Sequence, residues 1–333
     1  MPQGLIAANR SAHVIVPGAV LSNTRLCNEH FRITFRVRSF PPAYPGQFLH
    51  LGSHRAADAT NDSVIRATGV SPMAWGGNDP FLRRAFSIAG LRRSAEGVEL
   101  DVIYRVVGSL TGWLAKMRAG DPISILGPQG NRFPIQRDRP NAWLVAGGVG
   151  LPPLLWFAEE LHAAKKIAVF FYGAQRADVV ALRMDAKTAP ASDACAATMA
   201  SVELADLRVP VVVSTDDGSL GFCGHVGQAL EAFWQANPVP PEELVLYTCG
   251  PERMMRFVAE FAARIGAMCF ACVERSMACA TGMCQSCVVA TRDANDTEGW
   301  RYRLCCTDGP VFDAAEVIWD LETFGRTWKP ATN

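Results

Sequence analysis

The sequence predicts a multidomain chain: an antiparallel β-barrel over residues 11–136, an α/β domain of Rossmann-like layout over 141–266, and a small cysteine-rich unit over 267–325. Three observations predict it. Residues 31–38 and 98–106 alternate apolar and polar side chains with the period of half-buried antiparallel strands. After residue 141 the order becomes strand, glycine turn, helix, which is the grammar of a parallel sheet. From Cys269 onward the chain turns cysteine-dense and irregular.

A length of 333 residues accommodates two or three domains of roughly 150 residues or fewer. Hydrophobic residues at 49% and charged residues at 19% exclude a disordered chain. Lys+Arg and Asp+Glu both number 32, so the net charge is +0 and no field steers nucleic acid toward the chain. The uncharged run 142–158 contains Gly147, Gly148, Gly150, Pro152 and Pro153, and reads as strand, turn and buried helix rather than a membrane span. Residues 14–21 form a weak apolar patch broken by Pro17, with no small-residue cleavage site, so a cytoplasmic location is expected.

In the barrel, Phe31, Ile33, Phe35 and Val37 share one side of a strand, against Arg32, Thr34, Arg36 and Arg38. Shorter strands are expected around Phe48 and at 123–126, and residues 52–80, rich in Ala, Asn, Asp, Ser and Gly, read as an insertion. The α/β unit is expected to place strands at 142–146, 167–172, 209–214 and 244–248, and helices at 154–164, 226–235 and 252–265.

The odd count of 11 cysteines argues against a disulfide scaffold and for metal or thiol chemistry. Cys279, Cys284 and Cys287 follow a Cys-x4-Cys-x2-Cys spacing, that of a plant-type [2Fe–2S] loop in which a glycine-containing turn, here at Gly282, lets three thiolates converge. Zinc is the alternative, but no histidine lies beyond His225. Buried free thiols account for Cys27, Cys195 and Cys223, and the pair Cys269 and Cys272 is expected in a buried strand.

Arg84, Ala85, Phe86 and Ser87 make a reasonable flavin set: a guanidinium for a diphosphate, a ring for the isoalloxazine or ribityl chain, and a hydroxyl for a ring nitrogen. Tyr104, Arg105, Val106, Gly108 and Thr111 end a strand and open an expected helix at 111–117, whose amides suit a diphosphate. The alternative is an ordinary strand end with a helix cap. Gly148 and Gly150 sit in a strand-to-helix turn where a dinucleotide diphosphate can approach, although the Gly-x-Gly-x-x-Gly pattern is absent. Cys249, Gly250 and Pro251 lie at the carboxyl edge of a late strand, where Cys249 is either a nicotinamide contact or a plain buried thiol. Arg176 is equally a contact for an NADP phosphate or a solvated side chain.

Together these residues resemble the ferredoxin-reductase-like flavoproteins, through Arg84 to Ser87, Gly127-Pro128-Gln129-Gly130, the turn at 147–150, and Cys249-Gly250-Pro251. Glu274-Arg275-Ser276-Met277-Ala278-Cys279, the cysteine triplet, Thr215-Asp216-Asp217-Gly218-Ser219 and Cys306-Thr307-Asp308-Gly309-Pro310 are similar to the family of iron–sulfur electron-transfer subunits of NAD-linked dihydroorotate dehydrogenase. Ala85 stands where that pattern has proline, and Leu110 and Ala280 where it has glycine.

The resemblance implies an FAD-binding barrel, an NAD-binding α/β domain and a [2Fe–2S] domain, with Cys306 as the fourth ligand and Cys305 facing elsewhere. It implies pyrimidine biosynthesis: dihydroorotate is oxidised on a separate FMN-containing catalytic subunit, in a hetero-oligomer, and electrons pass through the [2Fe–2S] cluster and FAD to NAD+. A rival within the oxidoreductases keeps both prosthetic groups but feeds a sulfite reductase, hydrogenase or glutamate-synthase-like partner with NAD(P)H electrons. A rival outside them is a redox-inactive zinc-bearing binding module.

Overall fold

In the computed structural model, which describes residues 13–53 and 82–320, the barrel region is one antiparallel sheet of seven strands. These are β1 (Val14–Arg25), β2 (His30–Val37), β3 (Phe48–Ser53), β4 (Arg84–Ser87), β5 (Gly90–Ser94), β6 (Gly97–Arg105) and β7 (Pro122–Gln129), with the six-residue helix α1 (Ser109–Leu114) after β6. The order β4-β3-β7-β1-β2-β6-β5 leaves β4 and β5 as edges, so among the described residues the barrel is hydrogen-bonded as an open ladder. It still curls on itself. Phe86 of β4 meets Tyr104 of β6 edge to face at 6.2 Å. The proposed insertion at 52–80 lies outside the described residues apart from Gly52 and Ser53, which end β3.

The alternation of β2 and β6 is used as expected. Ile33, Phe35, Leu100 and Val102 are wholly buried inside the curl. Their polar neighbours form an ion network: Asp101 accepts from Arg32 at 2.6 Å, Arg92 at 2.7 Å and Thr34 at 2.7 Å. Residues 14–21, read as a weak patch, are the start of the twelve-residue β1. Pro17 pairs only with Ser124 of β7, because the ladder to β2 begins at Gly18, and a one-sided stretch tolerates a missing N–H.

The second sheet has the order β11-β10-β9-β8-β12-β13-β16, from β8 (Asn141–Gly147), β9 (Ile167–Ala174), β10 (Val211–Thr215), β11 (Phe222–Cys223), β12 (Leu244–Cys249), β13 (Met268–Cys272) and β16 (Val311–Asp313). All pairs are parallel except β13 with β16. Helices α2 (Leu151–Ala163), α3 (Val202–Ala205), α4 (Val226–Ala236) and α5 (Glu252–Ile265) cover it. From β8 the chain steps outward through β9, β10 and β11, then returns to β12 on the other side. The crevice of this fold therefore opens at the carboxyl ends of β8 and β12.

The residues after 266 divide in two. β13 and β16 complete the parallel sheet, while β14 (Val288–Arg292) and β15 (Trp300–Leu304) form a separate antiparallel hairpin. Asn131, just past β7, ties the barrel to this tail. Its Nδ2 donates to the carbonyls of Asp308 (2.9 Å) and Val311 (2.8 Å), and its Oδ1 accepts the Val311 N–H at 2.9 Å.

Candidate functional site

The loop between β13 and β14 carries the cysteine triplet. It folds back through three left-handed residues: Gly282 at φ +84°, Ala280 at +59° and Gln285 at +53°. A left-handed alanine costs about 1 kcal/mol relative to glycine, which gives a physical reason for glycine at the position of Ala280 in the resembling pattern.

The cysteines of this loop and Cys306, which follows β15, are linked in pairs through backbone amides. Cys279 Sγ accepts the amide N–H groups of Thr281 and Cys284, each at 3.4 Å, and Cys284 Sγ lies 3.2 Å from Ser286 Oγ. Cys287 Sγ accepts the amide of Cys306 at 3.4 Å. Cys305 turns away and donates its thiol to the Val273 carbonyl at 3.0 Å. Among the described residues no three His, Cys, Asp or Glu side chains group closely enough to hold a single metal ion. Tetrahedral zinc needs four ligands about 2.3 Å from one point, whereas a two-iron cluster takes thiolates as two pairs, one per iron. The pairing of Cys279 with Cys284 and of Cys287 with Cys306 fits the second.

The two pairs differ electrostatically. Burial pushes the Cys279 thiol up, but the amides of Cys284 and Thr281 more than offset it and bring its pKa down to about 6. The Ser286 hydroxyl and amide lower Cys284 as well. By contrast, burial and the neighbouring Cys287 push Cys306 up to about 12, so that thiolate forms only with a cation beside it.

At the barrel edge, β4 presents Arg84 exposed and Ala85, Phe86 and Ser87 half-buried. Tyr104 is 2% exposed, its ring between Phe31 and Phe86 and its hydroxyl donating to Asn23 at 3.3 Å, so it supports Phe86 from within the barrel. Beyond it, Arg105 is exposed and pairs with Glu29 at 2.5 Å. Helix α1 starts at Ser109 and ends at Leu114, earlier at both ends than the expected 111–117. Its approach is closed internally: Thr111 Oγ1 accepts the amides of Val107 (2.9 Å) and Gly108 (3.0 Å). Those two donors are therefore committed, while among the described residues no acceptor is shown for the amides of Ser109, Leu110 and Thr111 in the first turn of α1. Val106, Val107 and Val149 remain exposed, and the end of β6 contacts the turn Gly148–Gly150. An exposed apolar strip beside an exposed arginine is a physically suitable bed for a flat aromatic group with a charged tail.

The glycine turn is shaped chiefly by its neighbour. A Cβ on Gly150 would lie 1.9 Å from the Cys249 carbonyl oxygen, and one on Gly147 2.6 Å from Met254 Sδ. Gly148, at φ +52°, faces open space and is the point where a ligand can approach closely. Cys249 ends β12 at 7% exposure, in register with Cys272 of β13. Gly250 and Pro251 then lead into α5, with Pro251 as its cap.

Three expectations about other residues change or sharpen. Cys195 and Cys223 are exposed rather than buried, because one lies in irregular chain and the other on the two-residue edge strand β11. Cys269 and Cys272 are buried in β13 as expected. Arg176 donates to both oxygens of Asp178, at 2.9 and 3.2 Å, which Asn28 also holds. Sequence reasoning missed His50 and Asn131. The polar residue inside Phe48-Leu49-His50-Leu51 was the available signal for the first.

Residues 274–318 match the iron-sulfur cluster binding domain of dihydroorotate dehydrogenase B, and residues 144–260 the oxidoreductase NAD-binding domain. The chain is 30% identical to the electron transfer subunit of dihydroorotate dehydrogenase B (NAD(+)) from Caldanaerobacter subterraneus subsp. tengcongensis, over 90% of this chain and 96% of the relative. It is 32% identical to the Geobacillus kaustophilus protein of the same name, over 82% and 86%. The fold is similar to an NADH-dependent reduced ferredoxin-NADP oxidoreductase at a TM-score of 0.67 and 24% identity, covering 92% of this chain and 91% of that one. A ferredoxin NADP+ reductase from Neisseria gonorrhoeae shares it at 0.51 and 17%, covering 76% and 92%. No helix among the described residues is long and apolar enough to cross a membrane.

Proposed function

Since the chain belongs to the family of electron transfer subunits of dihydroorotate dehydrogenase B (NAD(+)), we propose that it links a dihydroorotate-oxidising partner to NAD+ in pyrimidine biosynthesis. Its partner is an FMN-containing catalytic subunit, joined to it in a cytoplasmic hetero-oligomer. The observation that carries the reading is the paired arrangement of Cys279 with Cys284 and Cys287 with Cys306, on a chain that also exposes Val106, Val107 and Val149 near Arg105.

Each group has its own holders. Cys279, Cys284, Cys287 and Cys306 hold the [2Fe–2S] cluster. Arg84 meets the FAD diphosphate, Ala85, Phe86 and Ser87 line the flavin, and the stretch from Tyr104 to Thr111, with Arg105, Val106 and Gly108, forms the adjoining wall. Gly148, Gly150, Cys249, Gly250 and Pro251 make the nicotinamide crevice at the ends of β8 and β12. The bound flavin supplies the exchange between a two-electron hydride carrier and a one-electron centre. The chain's residues orient these groups and keep water from the contact. Arg176 pairs with Asp178 through Nε and Nη2, and that carboxylate beside it disfavours a 2′-phosphate, which supports NAD over NADP.

Anaerobic purification with iron, sulfide and flavin quantified tests this reading. About two irons and one FAD per chain are expected, with NADH bleaching both chromophores. Copurification of an FMN-containing dihydroorotate dehydrogenase is the expected partner result. A zinc-bearing, colourless protein, or a sulfite reductase in the partner's place, overturns it.

A further inference from the structure

Strand β3 carries a side chain that none of these roles uses. His50 is 1% exposed, and neither of its ring nitrogens has a hydrogen-bond partner. Burial, and then the Arg83 guanidinium, bring its pKa down to about 4. Leaving a buried polar group unpaired costs about 1–3 kcal/mol, and such a group in a native fold requires an explanation.

Its position supplies one. Across the β3–β4 ladder the Cα partner of His50 is Ala85, the centre of the Arg84–Ser87 strand, and paired residues face the same side of a sheet. Ala85 packs into the apolar cluster that contains Phe48, Met277, Ala280, Cys287 and Cys306, whereas Leu49 and Leu51 point into the curl of the barrel. The imidazole thus lies in the seam between the flavin strand and the cysteine loop. It faces the backbone of Met277, two residues before Cys279, without reaching hydrogen-bond geometry. Arg83 fixes the backbone at this point, donating to the His50 carbonyl at 3.0 Å and to the Ser124 carbonyl at 3.0 Å. Gln129, wholly buried and paired with Phe48, also has an unpartnered side chain in this part of the sheet.

We propose that His50 is a positioning residue of the iron–sulfur centre, hydrogen-bonding the backbone of segment 276–278 when the cysteine loop closes on its cluster and so fixing that loop against β4. The proposal rests on the cofactor reading above. The potential of an iron–sulfur centre follows the hydrogen bonds and solvent access around its sulfurs, and both depend on where the loop is held.

The test compares His50→Leu and His50→Gln in the full chain, reconstituted without oxygen, with the cluster potential read by an EPR-monitored redox titration. His50→Leu is expected to retain FAD and to shift the one-electron equilibrium of the cluster about threefold or more, about 30 mV at 59 mV per tenfold. His50→Gln, which keeps a donor and an acceptor, is expected to restore the wild-type potential. An unshifted His50→Leu cluster, or equal shifts in both variants, overturns the proposal. If His50→Leu holds no cluster, His50→Gln decides: a wild-type potential supports the role and a shifted one defeats it. A wild-type chain lacking iron or flavin defeats the cofactor reading instead.

Discussion

The cysteine loop and the nucleotide cleft lie on one chain but are assembled in different ways. Three of the four cysteines proposed to hold the cluster fall within residues 279–287, positioned by one turn with local amide contacts. The cleft is gathered from segments 84–87, 104–111, 147–150 and 249–251, held by packing of one turn on another. A local loop can lose its cargo and leave the rest standing. A cleft made by close approach fails with the fold itself.

Four experiments press on that contrast. The largest effect is expected of Cys284→Ser, which removes the cluster's visible absorbance entirely while FAD stays bound. Departure of both pigments together would show that the two ends are not independent. Next is Gly150→Ala, whose new Cβ has rigid backbone 1.9 Å away. Urea denaturation should show a loss of about 3 kcal/mol or more, against about 1 kcal/mol for Gly148→Ala, which has open space and only its φ to strain. Arg84→Ala should weaken FAD binding about 10- to 100-fold, the value of one charge-assisted contact, with cluster content unchanged.

The most gradual effect is in pH. His50 has a folded pKa of about 4 against 6.5 for the free side chain, so between those values the unfolded chain binds a proton that the folded one refuses. Stability therefore falls as pH drops from 6.5 toward 4, by at most about 3 kcal/mol from this residue, and buried His30, lowered in the same direction, adds to it. His50→Gln should flatten the slope of stability against pH, and an unchanged slope would move the cause elsewhere.

How much of this was legible follows from the same contrast. Helix α5 occupies residues 252–265, the range its apolar spacing indicates, and the alternation of β2 and β6 survives because one face is wholly buried. The cysteine spacing points to iron–sulfur chemistry because three of the four proposed ligands are close in sequence. β1 was obscured by Pro17, since the stretch before Gly18 is paired with β7 alone and does not obey the usual penalty. Gly150 carries no mark in the sequence that its constraint is a carbonyl of residue 249, more than ninety positions later. Nor does the sequence reveal that Thr111 consumes the amides of Val107 and Gly108. Contacts of this kind become visible only when distant segments are brought together.

The three hydrogen bonds of Asn131 have one more implication. The segment they grip ends with a strand woven into the other sheet, so the tail is stapled to both its neighbours. Moving residues 308–313 therefore means breaking the contacts of Asn131 or the pairing of β13 with β16.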